Sequence, residues 1–109
     1  MKNIQIKNAT PHSINVFVDG KEVMTLEPSG ILPRVEQEEV VIETINGVPI
    51  TRQKFSEPYG LPEEQENVFW VVSRLTAEAA KDRKDLLVPG PMVRGEEGKP
   101  VGCNGLSRI

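Results

Sequence analysis

Two dipeptides constrain this chain more than anything else in it. Asp19-Gly20 lies between "SINVFV" and "KEVMTL", and Asn46-Gly47 lies between "EEVVIETI" and "VPITRQKF". A two-residue turn that follows the twist of its flanking strands needs positive φ at both central positions. Asp or Asn followed by Gly meets that need at the lowest steric cost. The flanking runs are rich in Val, Ile and Thr, which suit a pleated, half-buried surface. Two β-hairpins are therefore predicted, and an all-helical fold is excluded.

The other segments fit around these hairpins. "IQIK" alternates like a strand, and "EPSG" (27–30) reads as a turn. "ILPRVE" reads as a short strand that Pro33 keeps at an edge or makes irregular. "SEPYGLPEEQEN" (56–67), with two prolines, a glycine and several acids, reads as a long surface loop. "VFWVV" (68–72) is continuously apolar, as a central strand buried on both faces would be. After it, Ser73 or Thr76 can cap a helix over about residues 74–83, with Leu75, Ala79, Ala80 and Leu86 sharing a face. "VPGP" ends that region, and "MVR", "GEEG" and "KPVGC" predict a last hairpin. The expectation is one domain over 1–109, of α+β class and mainly β. Its antiparallel hairpins form a small sheet or barrel, with one helix near residues 74–83.

A chain of 109 residues buries roughly two-thirds of its unfolded surface, enough for one modest core. Hydrophobic residues make up 38%, and Gly and Pro number nine each. That mixture predicts thin layers and a subunit that borrows core from a partner, so a homo-oligomer is expected. The formal net charge of −3 argues against a general binder of long nucleic acid, which would present a broadly basic face. It leaves room for a small anion, because a few converging guanidinium groups hold phosphate even in an acidic protein. The single cysteine, Cys103, permits no intrachain disulfide, which points to a reducing cytoplasm. No run approaches the length of a membrane-spanning helix, and "MKNIQIKNAT" has no apolar stretch of signal-peptide length.

Each chemically capable residue has a plain reading beside a functional one. His12 is the only histidine. It is too isolated for a zinc site, which draws three or four His, Cys or acidic ligands, so neither a metal nor a cofactor is expected. It either closes the "TPH" turn or serves as a ligand contact or a general acid/base. Cys103 reads as a small buried hydrophobe. Ser73 is either an ordinary N-cap or a donor to an anion. No Gly-rich phosphate cradle accompanies it, which excludes the common nucleotide triphosphatases. Arg83 and Asp85 read as a solvated helix end or as an inward-facing pair. Arg34, Arg52, Arg74, Arg94 and Arg108 are the remaining arginines, any of which can meet phosphate through two parallel hydrogen bonds. Tyr59 and one face of Trp70 can stack on a base or pack beneath the loop. Glu63, Glu64, Glu66, Glu96 and Glu97 read as loop charges that keep the chain solvated.

The quoted segments, taken together, resemble a family of small proteins of this length found in phages, prophages and other mobile elements of bacteria. The resemblance is carried by Thr10-Pro11-His12-Ser13-Ile14, by Ser29-Gly30 with Arg34-Val35, and by Gly47-Val48-Pro49 and Gly60-Leu61-Pro62. It continues through Val72-Ser73-Arg74-Leu75, Arg83-Lys84-Asp85-Leu86, Val93-Arg94, Gly98 and Gly102-Cys103. It spans nearly the whole chain. Arg74 and Gly95 depart from the pattern, which favours a small residue and an acid at those places.

The resemblance implies a cytoplasmic protein of an infected or lysogenic bacterium, forming an oligomer and acting on host molecules. The leading expectation is a non-catalytic binder that sequesters an anionic nucleotide immune signal, such as a cyclic nucleotide or an ADP-ribose derivative. Its expected ligand contacts are His12, Arg34, Tyr59, Trp70, Ser73, Arg83, Asp85 and Arg94. One alternative is a small phosphodiesterase with His12 as acid/base. Another is an interaction module that inhibits a host protein through the 57–66 loop.

Overall fold

Both predicted turns adopt the backbone their sequences demand. In the computed structural model, which describes residues 3–109, φ is 52° at Asp19 and 80° at Gly20, and 49° at Asn46 and 78° at Gly47. The chain runs through β1 (Gln5–Asn8), β2 (Ile14–Val18), β3 (Lys21–Leu26), β4 (Gln37–Ile45), β5 (Val48–Phe55) and β6 (Val68–Val71). It continues through α1 (Arg74–Ala79), β7 (Leu86–Pro89), β8 (Met92–Arg94), β9 (Pro100–Asn104) and β10 (Leu106–Ser107). The fold is α+β and mainly β, with a single short helix among the described residues.

The strands form two open four-stranded sheets and one separate two-stranded ribbon, so the barrel alternative does not hold. The first sheet has the order β1-β6-β7-β10 and the second β3-β2-β9-β8. Hairpin pairing accounts for β2–β3, β4–β5 and β8–β9. Of the ladders that join more distant parts of the chain, β1–β6, β6–β7 and β2–β9 are parallel and β7–β10 is antiparallel. Parallel neighbours need a crossover connection, and α1 lies in the one between β6 and β7.

The "VFWVV" run is the centre of the first sheet. Trp70, Val71 and Val72 are 3%, 0% and 0% exposed, as a strand covered on both faces requires. Trp70 and Val72 join Ala9, Ala77, Ala80, Leu86 and Val88 in one cluster, so α1 packs Ala77, and Ala80 just past its end, onto this face. The helix stops at Ala79, four residues short of its expected end. Strand pairing explains why: the Trp70 N–H donates to the Asp85 carbonyl at 2.8 Å and the Val72 N–H to the Leu87 carbonyl at 2.9 Å. Leu86, expected on the helix face, begins β7 instead. Residues 27–35 make only isolated bridges, at Pro28 and Arg34, in keeping with Pro33. β10 has no counterpart in the expected elements.

The second sheet depends on a glycine without a side chain. A Cβ at Gly102 would run into the carbonyl of Asn15 and the ring of Phe17. Only glycine lets β9 lie this close to β2. Cys103, next along, is free and 4% exposed, a small buried hydrophobe as expected. No described helix is long and apolar enough to cross a membrane.

Candidate functional site

The "TPH" turn is organised by a residue that the sequence reading passed over. Asn8 is 1% exposed and ends β1. Its side-chain oxygen accepts from the Thr10 N–H (2.9 Å) and the Thr10 hydroxyl (2.6 Å). Its amide nitrogen donates to the carbonyls of His12 (2.7 Å) and Leu26 (2.9 Å). Its backbone carbonyl accepts from both the N–H (2.9 Å) and the hydroxyl (2.6 Å) of Ser29. Asn8 therefore ties the 10–12 turn, the end of β3 and the 27–30 turn to one point. The available signal was Asn-X-Thr-Pro, since an Asn that bonds the N–H two residues on is a recognised turn former. His12 contributes its carbonyl to this knot, while its exposed side chain makes no hydrogen bond or ion pair among the described residues.

Beside this turn, three distant segments border one cavity of about 240 Å³. Its lining includes Thr10 and Pro11 from the turn, Leu32 and Arg34 from the irregular segment, and Ser73 and Thr76 from the start of α1. Arg34 is the one charged residue of that lining. Arg34 is exposed, and its guanidinium makes no hydrogen bond or ion pair among the described residues. Its backbone is fixed by Tyr59: Arg34 N–H donates to the Tyr59 carbonyl at 2.9 Å, and Tyr59 N–H donates back at 2.7 Å. Residues that exchange both bonds in an antiparallel bridge send their side chains to the same side, with Cβ atoms about 5.5 Å apart. Tyr59 is 57% exposed. The bridge thus starts an exposed tyrosine and an uncommitted arginine from neighbouring positions on one side of the backbone.

Ser73 caps α1 through its hydroxyl, which accepts from the Thr76 N–H at 3.3 Å and lies 3.0 Å from the Thr76 hydroxyl. The plain reading of Ser73 is therefore realised, and Ser73 is also among the residues that line the Arg34 cavity.

The other expected ligand residues lie elsewhere. Arg83 is committed within the fold. It forks onto Asp85 (Nε–Oδ1 2.8 Å, Nη2–Oδ2 2.6 Å), donates to the Pro62 carbonyl (2.8 Å) and lies 3.4 Å from Glu64. Asp85 is 6% exposed, so this pair is the inward-facing alternative and pins the 56–67 loop to the body. The hydrogen bond with Asp85 is the main cause that raises the Arg83 pKa above its ordinary value, with burial opposing it. Arg94 reaches the Gly98 carbonyl at 2.7 Å within the β8–β9 turn. Trp70 is a core residue rather than a stacking platform. Lys7 Nζ sits 5.4 Å from its ring centroid, and its Nε1 has no acceptor among the described residues. Arg108 covers Phe69. Arg74 faces Glu78 at 4.0 Å on the helix surface.

Two further cavities bear on anion binding. One, of about 210 Å³, is bordered by Lys81, Arg83, Lys84 and Arg108, and also by the terminal residue Ile109. Arg83 is already held by Asp85, and Arg108 donates to the Lys84 carbonyl. Another, of about 380 Å³, runs past Ser13, Asn15, Met92 and Gly102 and has no charged lining. Among the described residues no cluster of His, Cys, Asp or Glu could hold a metal ion. No protein-family model, curated protein or solved structure matches this chain.

Proposed function

We propose that this is a non-catalytic binding protein whose ligand is a small anionic nucleotide held between Arg34 and Tyr59. One observation carries the reading: the reciprocal backbone bridge that starts these two side chains from neighbouring positions on one side of the backbone. A guanidinium with free donors meets phosphate in a two-bond fork. An exposed tyrosine stacks on any nucleobase, because every base presents a π-face. The adjoining cavity is small for a whole ligand, since typical ligand pockets run from about 300 to 1,000 Å³. It suits a phosphate and its sugar, leaving the base outside over Tyr59. The resemblance to phage and mobile-element proteins supplies the ligand class: nucleotide immune signals such as cyclic nucleotides and ADP-ribose derivatives. Sequestering such a signal would counter host defence. Arg83, Asp85, Trp70 and Arg94 have no part in this site, and His12 braces the adjacent turn through its backbone.

The test is to incubate the pure protein with a panel of cyclic dinucleotides, cyclic trinucleotides and ADP-ribose derivatives. Thermal stability is followed, and what the heat-denatured protein releases is then analysed. A ligand that binds only the folded state raises its stability by mass action, so sequestration predicts an upward shift and intact ligand on release. Recovery of a cleaved product instead transfers the case to the phosphodiesterase reading with His12 as acid/base. No shift with any member of the panel contradicts the proposal.

A further inference from the structure

The β4–β5 ribbon belongs to neither four-stranded sheet. Every residue of β4 is exposed, and β5 is exposed apart from the half-buried Ile50 and Phe55. A lone two-stranded hairpin is marginally stable at best in water. Yet this ribbon displays Val40 (39% exposed), Val41 (57%), Ile42 (47%), Ile45 (52%) and Val48 (57%). Its edges are poor templates for strand addition. Pro49 sits in β5, and the register slips between Val41 and Glu43 in β4, two devices that blunt an edge. The faces are what remain.

The register sorts the two faces. One carries the pairs Glu38/Lys54, Val40/Arg52, Glu43/Ile50 and Ile45/Val48. Its four apolar residues lie among two acids, both on β4, and two bases, both on β5. Among the described residues none of these four charges forms an ion pair within 4.0 Å. A face with segregated, unpaired and balanced charges is complementary to itself in one arrangement. A two-fold axis along the ribbon lays β4 of one copy over β5 of the other, residue on register partner. Glu38 then faces Lys54 of the second copy, and Ile45 faces its Val48. A two-fold across the ribbon would instead lay each strand on its own copy in reversed order, so that Glu38 meets Ile45 and Lys54 meets Val48 and no acid faces a base.

We infer that this ribbon face is a homodimer interface, occupied by the same face of a second copy about a two-fold axis parallel to the strands. The contact is isologous, so each charge pair occurs twice. Such complementarity sets partner and register more than it adds raw affinity, and the apolar residues near the turn supply the burial.

The experiment is sedimentation equilibrium on the full chain, on the single variants Glu38→Lys and Lys54→Glu, and on their equimolar mixture. The wild type is expected to dimerise. Each variant alone sets like charges against each other twice, and is expected to weaken the dimer by roughly ten- to thirty-fold. In the mixture the E38K copy meets the K54E copy with every pair again opposite in sign. A one-to-one heterodimer of near wild-type affinity should form. Within each variant's own ribbon the like charges stay opposed, so recovery on mixing comes only from across the interface. Circular dichroism of each variant checks that the fold is kept. A monomeric wild type, an assembly of an odd number of copies, or a mixture no tighter than its components overturns the inference.

Discussion

Asn8 and His12 stand four residues apart, and the fold depends on them very differently. Asn8 is buried with four side-chain hydrogen bonds, whereas the ring of His12 is exposed. Removing the amide strands buried partners, so Asn8→Ala should cost about 2–4 kcal/mol in urea unfolding. His12→Ala should stay within about 0.5 kcal/mol of wild type by the same measurement. A lone histidine draws the eye in a sequence because its chemistry is distinctive, while a buried asparagine is marked only by a turn pattern. Ser73 was more legible, because an N-cap acts within its own turn. Arg83 shows the reverse difficulty: its motif neighbour Asp85 was visible, but the Pro62 carbonyl that completes the clamp lies 21 residues away. Arg83→Lys keeps the charge and loses the fork, and should cost about 1–3 kcal/mol. Because the folded pKa of Arg83 is raised, its contribution is fully present below the ordinary arginine value. It is lost only as pH rises beyond the folded one. The Arg83 side of the clamp therefore adds no slope to stability across the neutral range, which a pH series of melting temperatures will check.

Elements were legible where their cause is local. The Asp-Gly and Asn-Gly turns, the apolar β6 run and the β8–β9 hairpin all follow from residues a few positions apart. The end of α1 and the start of β7 do not, because they are decided by the free N–H groups of β6 across the sheet. The three parallel ladders escaped for the same reason, since no short-range signal marks them. Two substitutions probe these elements. Gly47→Ala forces a side chain into positive φ, at a cost of about 1–2 kcal/mol, and should speed hydrogen exchange of β4 and β5 amides while leaving β6 unchanged. Gly102→Ala drives a methyl group against the Asn15 carbonyl and the Phe17 ring, and should cost about 1–3 kcal/mol in thermal unfolding through loss of the β2–β9 contact.

At the scale of the molecule, the chain is extended rather than round. Its extents are 56 × 39 × 21 Å, and its radius of gyration is 17.2 Å. A compact chain of this length would have a radius near 13 Å. The low hydrophobic content anticipated thin layers. It did not reveal that much of the exposed apolar surface would gather on one ribbon, since that depends on which hairpins find partners. The candidate site divides in the same way. Arg34, Tyr59 and Ser73 could be named as types from the sequence. The Arg34–Tyr59 bridge joins segments 25 positions apart, and only the fold selects it over Arg83, Trp70 and Arg94.

Calorimetric titration decides whether Arg34 is the arginine that holds the anion. The nucleotide that stabilises the protein most is titrated into wild type, Arg34→Ala, Arg94→Ala and Lys84→Ala. Arg34→Ala alone should weaken binding, by roughly ten-fold or more, as befits a lost charge-assisted fork. Undiminished binding by Arg34→Ala, or loss in Lys84→Ala instead, would contradict that role of Arg34 and move the ligand to the basic cavity beside α1.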